Sequence, residues 1–560
     1  MSLRAVLTLA TRAAAVLPFL SSGALAQYTD LPSTLPCGQR TWVSGATVSP
    51  RQDPSDIAVL AFRSSAPPGQ VDYLGEGLAN GINRRLIRAG LRVRSAWPLR
   101  YAEPVSPEEV REFKTMTGAD YVLAGEAHPT ATGAVRVRAF LFRTSDGARI
   151  ASEEREAPRE QLLELEPLIA LSVARRVRPS LSDAARQRIV HHLTRDPFAY
   201  ERAMLADALA AERTPRSVAE AVLAYSEAVR RDSMFIDAYI SLAHAYADLL
   251  YHGWAATSSS ELQLAQYGLA AANRAIVLDS TAAPAWTARG RLLVLTAPRT
   301  PEAAWVAFSH ALAYAPRDPS VWRAYGRARL DAGDFSGAEA QLAWAVALDP
   351  NHADALSDIG DLRLYRRDYS GACQALNQAI ARDPWNPYAY SLRALARLRL
   401  SETRDAWGDA ETAGRLGLRL VGQAVTAVVD AYARDTAGAA QRLKVYVPRR
   451  GSTEVPRSIS AWEGRLLALA AVGAGDPDNA LGFLQRVRPR SGALWAVMHD
   501  PGFDPIRTDP RFEQLSALSR PAGARPPMTV LSAQGGQGDN GAQGKRPPAK
   551  RTEPRTAAAP

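Results

Sequence analysis

Residues 322–350 read WRAYGRARLDAGDFSGAEAQLAWAVALDP, and this stretch decides the fold of the longer part of the chain. Its first half places the large Trp322 four residues before Gly326, and its second half carries the small Ala338 and ends at Pro350. Small residues let two antiparallel helices approach closely, and proline ends the second helix because it has no backbone N–H to donate. The stretch therefore predicts one pair of antiparallel helices.

The same spacing recurs along the chain, with Pro316, Pro350 and Pro384 standing 34 residues apart. The pattern resembles the tetratricopeptide repeat (TPR), a 34-residue helix pair. One pair cannot bury its own apolar face, so neighbouring pairs stack. We expect an all-α TPR superhelical solenoid over residues 190–518. Two less regular pairs and a capping segment are expected near residues 421–446, 461–487 and 503–512.

Strand and helix signals alternate before the repeats. Residues 57–62 form a continuous apolar run, which is typical of a strand buried on both faces. Ser106 and Glu109 form a capping box that begins a helix, and Asp146-Gly147 predicts a hairpin turn. The predicted order β-α-β-α-β-β-β-α indicates a small α/β domain with a mixed sheet, packed against helices.

Three motifs in this region resemble the TolB amino-terminal-like domain. They are IAVLAF at 57–62, YLGEGL at 73–78 and GADYVLAG at 118–125, and the resemblance covers roughly residues 55–180. In bacteria this domain often stands beside TPR repeats, in proteins linked to cyclases or Ser/Thr kinases. These motifs carry no catalytic residues, so the resemblance implies an architecture and no chemistry.

The first 26 residues have the pattern of a secretory signal peptide. A short apolar run at 13–20 is followed by Ala24-Leu25-Ala26, so we expect cleavage between Ala26 and Gln27. The run is too short for a helix that crosses a bilayer, which needs about 20 apolar residues. The mature chain is therefore expected in the periplasm or outside a bacterial cell, without a transmembrane span. An uncleaved anchor is the alternative.

The composition predicts a linker at 27–54 and a disordered basic tail at 519–560. From Arg520 onward seven Lys and Arg face two acidic residues, which gives half of the formal net charge of +10. The folded part is thus close to balanced, and we expect no nucleic-acid partner for it. The tail is a candidate for contact with anionic components of the cell envelope or with nucleic acid, and the alternative is a solvated end without a partner.

The sequence offers no centre for catalysis. Gly536-x-Gly538-x-x-Gly541 matches the dinucleotide fingerprint, but it lies in the predicted tail without a strand before it. Walker A, G-x-S-x-G and kinase motifs are absent from the sequence. No His or Cys pair has the spacing of zinc ligands. We expect no cofactor and no metal, and we interpret the chain as a non-enzyme with Cys373 as a small buried residue.

The resemblance to TPR proteins implies that the first helix of each pair lines a concave groove. The inward positions of the units hold Arg291, Ser320, Arg323, Arg327, Asp354, Asp361, Tyr365, Tyr388 and Arg399. Arg and Tyr are frequent anchors at interfaces, and the arginine-rich start favours an acidic or C-terminal carboxylate partner. The alternative is that these are ordinary solvated side chains.

Together these features predict an exported scaffold or adaptor that binds a protein or peptide in the groove. The main alternative is a signalling input module, in which the α/β domain senses a small ligand and the repeats relay the signal. An unrecognised enzyme would require a cleft with converging buried ionisable groups.

Overall fold

The structure is a computed structural model that describes residues 56–64, 73–94, 106–191, 194–254, 261–296, 300–384, 386–416, 419–446, 459–487 and 492–521. The predicted signal peptide and linker, and the predicted tail from residue 522, lie outside the described residues. Within them, a mixed sheet with its helices precedes a long helical array. This arrangement confirms the predicted fold class.

Six strands form one sheet in the order β3-β1-β4-β5-β6, with β2 pairing on β4. They are β1 Asp56–Val59, β2 Arg63–Ser64, β3 Arg92–Arg94, β4 Tyr121–Pro129, β5 Ala134–Arg143 and β6 Arg149–Pro158. β3, β1 and β4 run parallel because helices return the chain between them, and β4, β5 and β6 form an antiparallel meander.

The strand predicted over the run 57–62 is shorter in the structure, and residues 60–62 lie outside both neighbouring strands. β1 ends at Val59 and β2 begins at Arg63. Between them the Phe62 N–H donates to the Gly75 carbonyl at 3.3 Å instead of to a strand. A Cβ on Gly75 would lie 1.9 Å from the Phe62 carbonyl oxygen, so only glycine allows this approach.

Four helices accompany the sheet, namely α1 Tyr73–Arg88, α2 Pro107–Thr117, α3 Leu162–Val177 and α4 Asp183–Val190. α2 begins at the predicted capping box, with Ser106 and Glu109 bonding to each other's backbone N–H. α1 and α3 bury Leu78 and Ile169 against one face of the sheet. α2 buries Phe113 against part of the opposite face.

The remaining described chain is helical. Its pairs are α5 Pro197–Ala211 with α6 Pro215–Arg231, α7 Ile236–Tyr251 with α8 Glu261–Leu278, α9 Ala283–Thr296 with α10 Glu302–Tyr314, α11 Pro319–Asp331 with α12 Phe335–Leu348, α13 Ala353–Tyr365 with α14 Tyr369–Arg382, α15 Pro387–Arg399 with α16 Thr403–Arg415, α17 Arg419–Tyr432 with α18 Thr436–Leu443, and α19 Ala461–Gly473 with α20 Pro477–Arg486. A closing segment follows, with α21 Gly492–Val497, a 3-10 turn Pro501–Ile506 and α22 Pro510–Ser519.

The two helices of a pair approach each other closely at the same position in successive 34-residue repeats, as the sequence predicted. A Cβ on Gly326 would lie 2.7 Å from Leu342 Cγ. One repeat later, a Cβ on Gly360 would lie 2.5 Å from Leu376 Cγ. Glycine on the first helix therefore makes room for the leucine on the second. No helix among the described residues combines the length and apolar character needed to cross a membrane.

Candidate protein-binding surface

The first helices of the pairs form the inner layer of the solenoid. Arg323 on α11 pairs with Asp358 on the neighbouring α13 at 2.8 Å. The guanidinium of Arg327, one turn further along α11, lies 5.7 Å from the ring centre of Tyr251 at the end of α7. Residues 323 and 327 share one helix face because they are four positions apart. We call the inward faces of α7, α9, α11, α13 and α15 the axial face.

One half of the axial face is closed by a buried ionic network around Arg465 of α19. The Arg465 guanidinium donates to Asp361 at 2.6 Å and to Asp500 at 2.7 Å, and the side chains of Arg465 and Asp361 are 1% and 2% exposed. The same guanidinium lies 4.3 Å from the ring centre of Tyr365. Burial alone would raise the pKa of Asp500, but the positive charges of Arg465 and Arg399 hold it below its usual range.

Arg327 extends this network along the axis. It contacts Asp331 at 2.7 Å, Asp361 at 3.0 Å and Asp358 at 3.3 Å. Burial raises the pKa of Asp331, and the charge of Arg327 opposes this shift. Several charges removed from water are tolerated here because each has partners of opposite sign. The network therefore ties α11, α13 and α19 into one body.

The closing segment covers the same half. Trp495 of α21 is 2% exposed, and its indole packs where Gly333 has no side chain, since a Cβ there would lie 2.5 Å from it. His499 rests edge-on against Phe335, with ring centres 5.2 Å apart. The guanidinium of Arg399 lies 3.8 Å from Asp500. The segment at 503–512 that was predicted as a cap belongs to this closing segment.

The other half of the axial face is open to solvent. Ser320 is exposed at the start of α11. The Arg323–Asp354 pair, 3.4 Å apart, leaves the two side chains 33% and 30% exposed. Arg291 pairs with Asp248 of α7 at 2.6 Å, and both remain partly accessible. The charge of Arg323 holds the pKa of Asp354 below its usual range. The open half therefore keeps ionised, accessible groups of both signs.

An aromatic group borders the open half. The Tyr388 hydroxyl of α15 lies 3.0 Å from His252 Nδ1, at the end of α7. The His252 ring stacks on Trp254 with ring centres 4.3 Å apart. Burial lowers the pKa of His252 to about 4, so this imidazole is neutral at pH 7 and its Nδ1 can accept a hydrogen bond from the Tyr388 hydroxyl. Burial also lowers the pKa of His244, beside Arg291, to about 4.

The nine residues predicted to line the groove thus separate into two sets. Five lie on the open half, which we call the open axial surface: Arg291, Ser320, Arg323, Asp354 and Tyr388. Four take part in the closed half: Arg327, Asp361, Tyr365 and Arg399. Members of both sets are paired within the chain, but α19 covers Asp361 and Tyr365, so a partner would meet the open set first.

Sequence reasoning missed two groups of axial residues. Asp358 lies four positions after Asp354 on one helix face, and the helical period would have revealed it. Arg465 and Asp500 carried no such signal. They reach Asp361 only because the solenoid curves back on itself, which a nearest-neighbour repeat pattern does not encode.

The α/β domain has a surface recess of about 530 Å³. It lies on the face of the sheet that α2 covers only in part. Its charged lining comes from β4, β5 and β6. Glu126, Arg138 and Glu154 stand opposite one another across the three strands, at 2.7 Å and 3.5 Å. His128 and Arg136 flank this row. Among the described residues, no three His, Cys, Asp or Glu side chains are placed to hold a metal ion.

No family profile matches the chain, and no curated protein matches it. Solved structures similar to it include PilF of Pseudomonas aeruginosa, at 18% identity and a TM-score of 0.31, covering 40% of this chain and 95% of that chain. PilW, a type IV pilus biogenesis factor, is 16% identical with a TM-score of 0.31, covering 38% and 91%. Yeast Tom70 is 13% identical with a TM-score of 0.35, covering 64% and 82%. The fold of the chain is defined by its own paired helices and the contacts between them.

Proposed function

We propose that the protein is an exported, non-catalytic scaffold that binds an extended segment of another protein on the open axial surface. The observation that supports this most directly is the contrast between the two halves of the axial face. Both halves pair their charges within the chain, but Arg465 and Asp361 of the closed half are only 1% and 2% exposed, whereas the Arg323–Asp354 pair of the open half keeps about a third of each side chain in water.

The chemistry of the open axial surface suits a peptide. Guanidinium groups donate to main-chain carbonyls and carboxylates, and carboxylates accept main-chain N–H groups. Tyr388 adds an aromatic contact with a polar end, a type of side chain frequent at interface centres. The expected partner remains one that presents an acidic side chain or a terminal carboxylate to Arg291 and Arg323. Export rests on the signal pattern of residues 1–26, and the α/β domain resembles the TolB amino-terminal-like domain.

A matched pair of serine variants tests the location. Ser320 and Ser336 are both exposed near the start of a helix, Ser320 on the inner α11 and Ser336 on the outer α12. Ser320→Arg places a long side chain over the open axial surface without touching the buried network. Ser336→Arg makes the same change outside.

The assay is quantitative capture of partners from a cell-envelope extract, with wild type and both variants immobilised at equal density. We expect proteins bound by the wild type to be depleted at least tenfold with Ser320→Arg and retained with Ser336→Arg, since a steric block that removes about 1.4 kcal/mol costs tenfold in affinity. Equal partner lists for the two variants would remove the open axial surface from the proposal.

The recess on the sheet supports a second candidate function, in which the α/β domain takes up a small ligand. Its two glutamates and two arginines match a zwitterion such as a free amino acid, whose two charges need partners of opposite sign. Thermal unfolding with millimolar amino acids tests this. A ligand that raises the melting temperature of the wild type but not of Glu154→Gln supports the recess, and no shift with any amino acid removes this candidate.

A further inference from the structure

The α/β domain contacts the solenoid in two separate places. At the first, helix α1 lies against the first repeats. Arg84 donates to Asp207 of α5 at 2.8 Å, and Arg88 pairs with Asp237 in the first turn of α7. A Cβ on Gly77 would lie 2.7 Å from Met204 of α5. This contact fixes α1 to the beginning of the solenoid.

The second contact lies much further along the repeats. Arg94 of β3 bridges Asp56 of β1, at 2.5 Å, and Asp349 at the end of α12. Both Arg94 and Asp349 are largely buried. Two residues after Asp349, the side-chain amide of Asn351 lies over Gly118. Gly118 ends α2 in the left-handed conformation, with a φ of 71°. The side-chain Oδ1 of Asn351 accepts a hydrogen bond from Arg382 of α14 at 2.6 Å. The sheet edge is thus bonded to the α12–α13 junction.

The two contacts enclose three helix pairs. Asp237 lies in the first turn of α7, and Asp349 follows the last residue of α12, 112 residues later. Where helix pairs contact only their neighbours, small rotations between pairs add up along the array. Here α7 also reaches α11 and α15, through Tyr251 and His252. A rigid body bonded at both ends of such a stretch fixes the sum of these rotations, because any change of curvature must break one of the contacts.

We propose that the α/β domain is a brace that sets the curvature of the repeats between α7 and α13. The ion pair between Arg94 and Asp349 joins the α/β domain to the far end of this stretch, and it acts together with the contacts that Tyr251 and His252 make across the axis.

The brace also bears on the open axial surface. Asp349 lies five residues before Asp354, whose helix α13 carries the accessible partner of Arg323. A change at the fastening therefore moves one wall of the surface relative to α11. This consequence rests on the proposed function, whereas the brace itself does not and is measurable without any partner.

The test is a distance measurement by double electron–electron resonance on the full chain. Spin labels are attached to Gln266→Cys on α8 and Ala343→Cys on α12, both at exposed positions. Cys37 is replaced by serine, and Cys373 is 1% exposed, so we expect the label not to reach it. The distance is compared in the parent, in Arg94→Met and in a control, Arg111→Met. Arg111 forms an exposed pair with Glu108 inside the α/β domain.

We expect one narrow distance distribution in the parent and in Arg111→Met, and a broader, shifted distribution in Arg94→Met. Asp349→Asn removes the same charge pair from the other side and is expected to reproduce the change. Superimposable distributions for all four proteins would overturn the brace. If Arg94→Met does not fold, Asp349→Asn alone decides between these outcomes.

Discussion

Replacing Arg465 by methionine removes the guanidinium at the centre of the closed half while keeping a long apolar side chain. Two carboxylates then lose their shared cation. Asp361 and Asp500 are 2% and 5% exposed, so water cannot replace the lost charge. The buried carboxylates cost solvation, and among the described residues the variant leaves Asp361 only the charge of Arg327, at 3.0 Å, and Asp500 only that of Arg399, at 3.8 Å, to offset that cost.

The magnitude follows from this imbalance. Removing one partner of a buried ion pair costs about 3–5 kcal/mol. The lost contact with the Tyr365 ring, 4.3 Å away, adds about 0.5–2 kcal/mol. We therefore expect the repeats that contain α13 and α19 to lose about 3.5–7 kcal/mol of unfolding free energy, against about 5–15 kcal/mol for a typical domain.

The assay is urea unfolding followed by tryptophan fluorescence, since Trp462 and Trp495 lie beside the closed half. Arg511→Met is the matched control, because Arg511 forms exposed pairs with Asp478 and Asp509 and such pairs contribute little. A triple variant with Asp361→Asn and Asp500→Asn beside Arg465→Met should recover part of the loss, since it also removes the unpaired charges.

Equal urea midpoints for Arg465→Met and Arg511→Met would refute this reasoning. The reasoning would also be refuted if Asp361→Asn and Asp500→Asn each lowered the stability of Arg465→Met further, so that the triple variant was the least stable. Either result would mean that the carboxylates are hydrated, and that the closed half opens in solution.

Further predictions concern His252 and the repeat glycines. Because the folded pKa of His252 is about 4 and the unfolded value is about 6.5, the unfolded state binds the proton first, and stability falls as the pH decreases from 6.5 to 4. His252→Asn should reduce the stability lost between pH 7 and pH 4.5 by about 1–2 kcal/mol, as measured by urea unfolding at both values; an unchanged difference would mean that His252 is already protonated or fully hydrated. Gly326→Ala should cost about 1–3 kcal/mol, because the new methyl meets both the side chain and the backbone nitrogen of Leu342. Gly408→Ala, in a helix with nothing within 4 Å of the added Cβ, should instead stabilise by about 0.5–1 kcal/mol. The same sign for both glycine variants would remove close approach as the reason for Gly326.

The repeat and the sheet were predictable from local pattern. The capping box at Ser106 depends on four consecutive residues. The prolines that end the helix pairs, and the glycines that face a leucine of the second helix, recur at a spacing that can be read along the chain. The contacts that depend on curvature were not predictable. The bonds of Arg465 to Asp361 and of Arg94 to Asp349 span 104 and 255 residues, and they follow from how small rotations between pairs add up.

The candidate surface shows the same limit. The inward positions were found from helical period, and Arg323 and Asp354 do stand on one accessible surface. The period could not indicate that Asp361 and Tyr365 are covered, because the residues that cover them come from α19. A repeat pattern describes the wall of a groove but not what closes it.

Site-specific photo-crosslinking tests the central claim most directly. Benzoylphenylalanine is placed at Ser320 on the open axial surface or at Ser336 on the outer helix, in the full chain bound to a captured partner. We expect a covalent adduct with the partner from position 320 and none from position 336. Adducts from position 336 alone, while the partner still co-purifies, would contradict binding at the inner face.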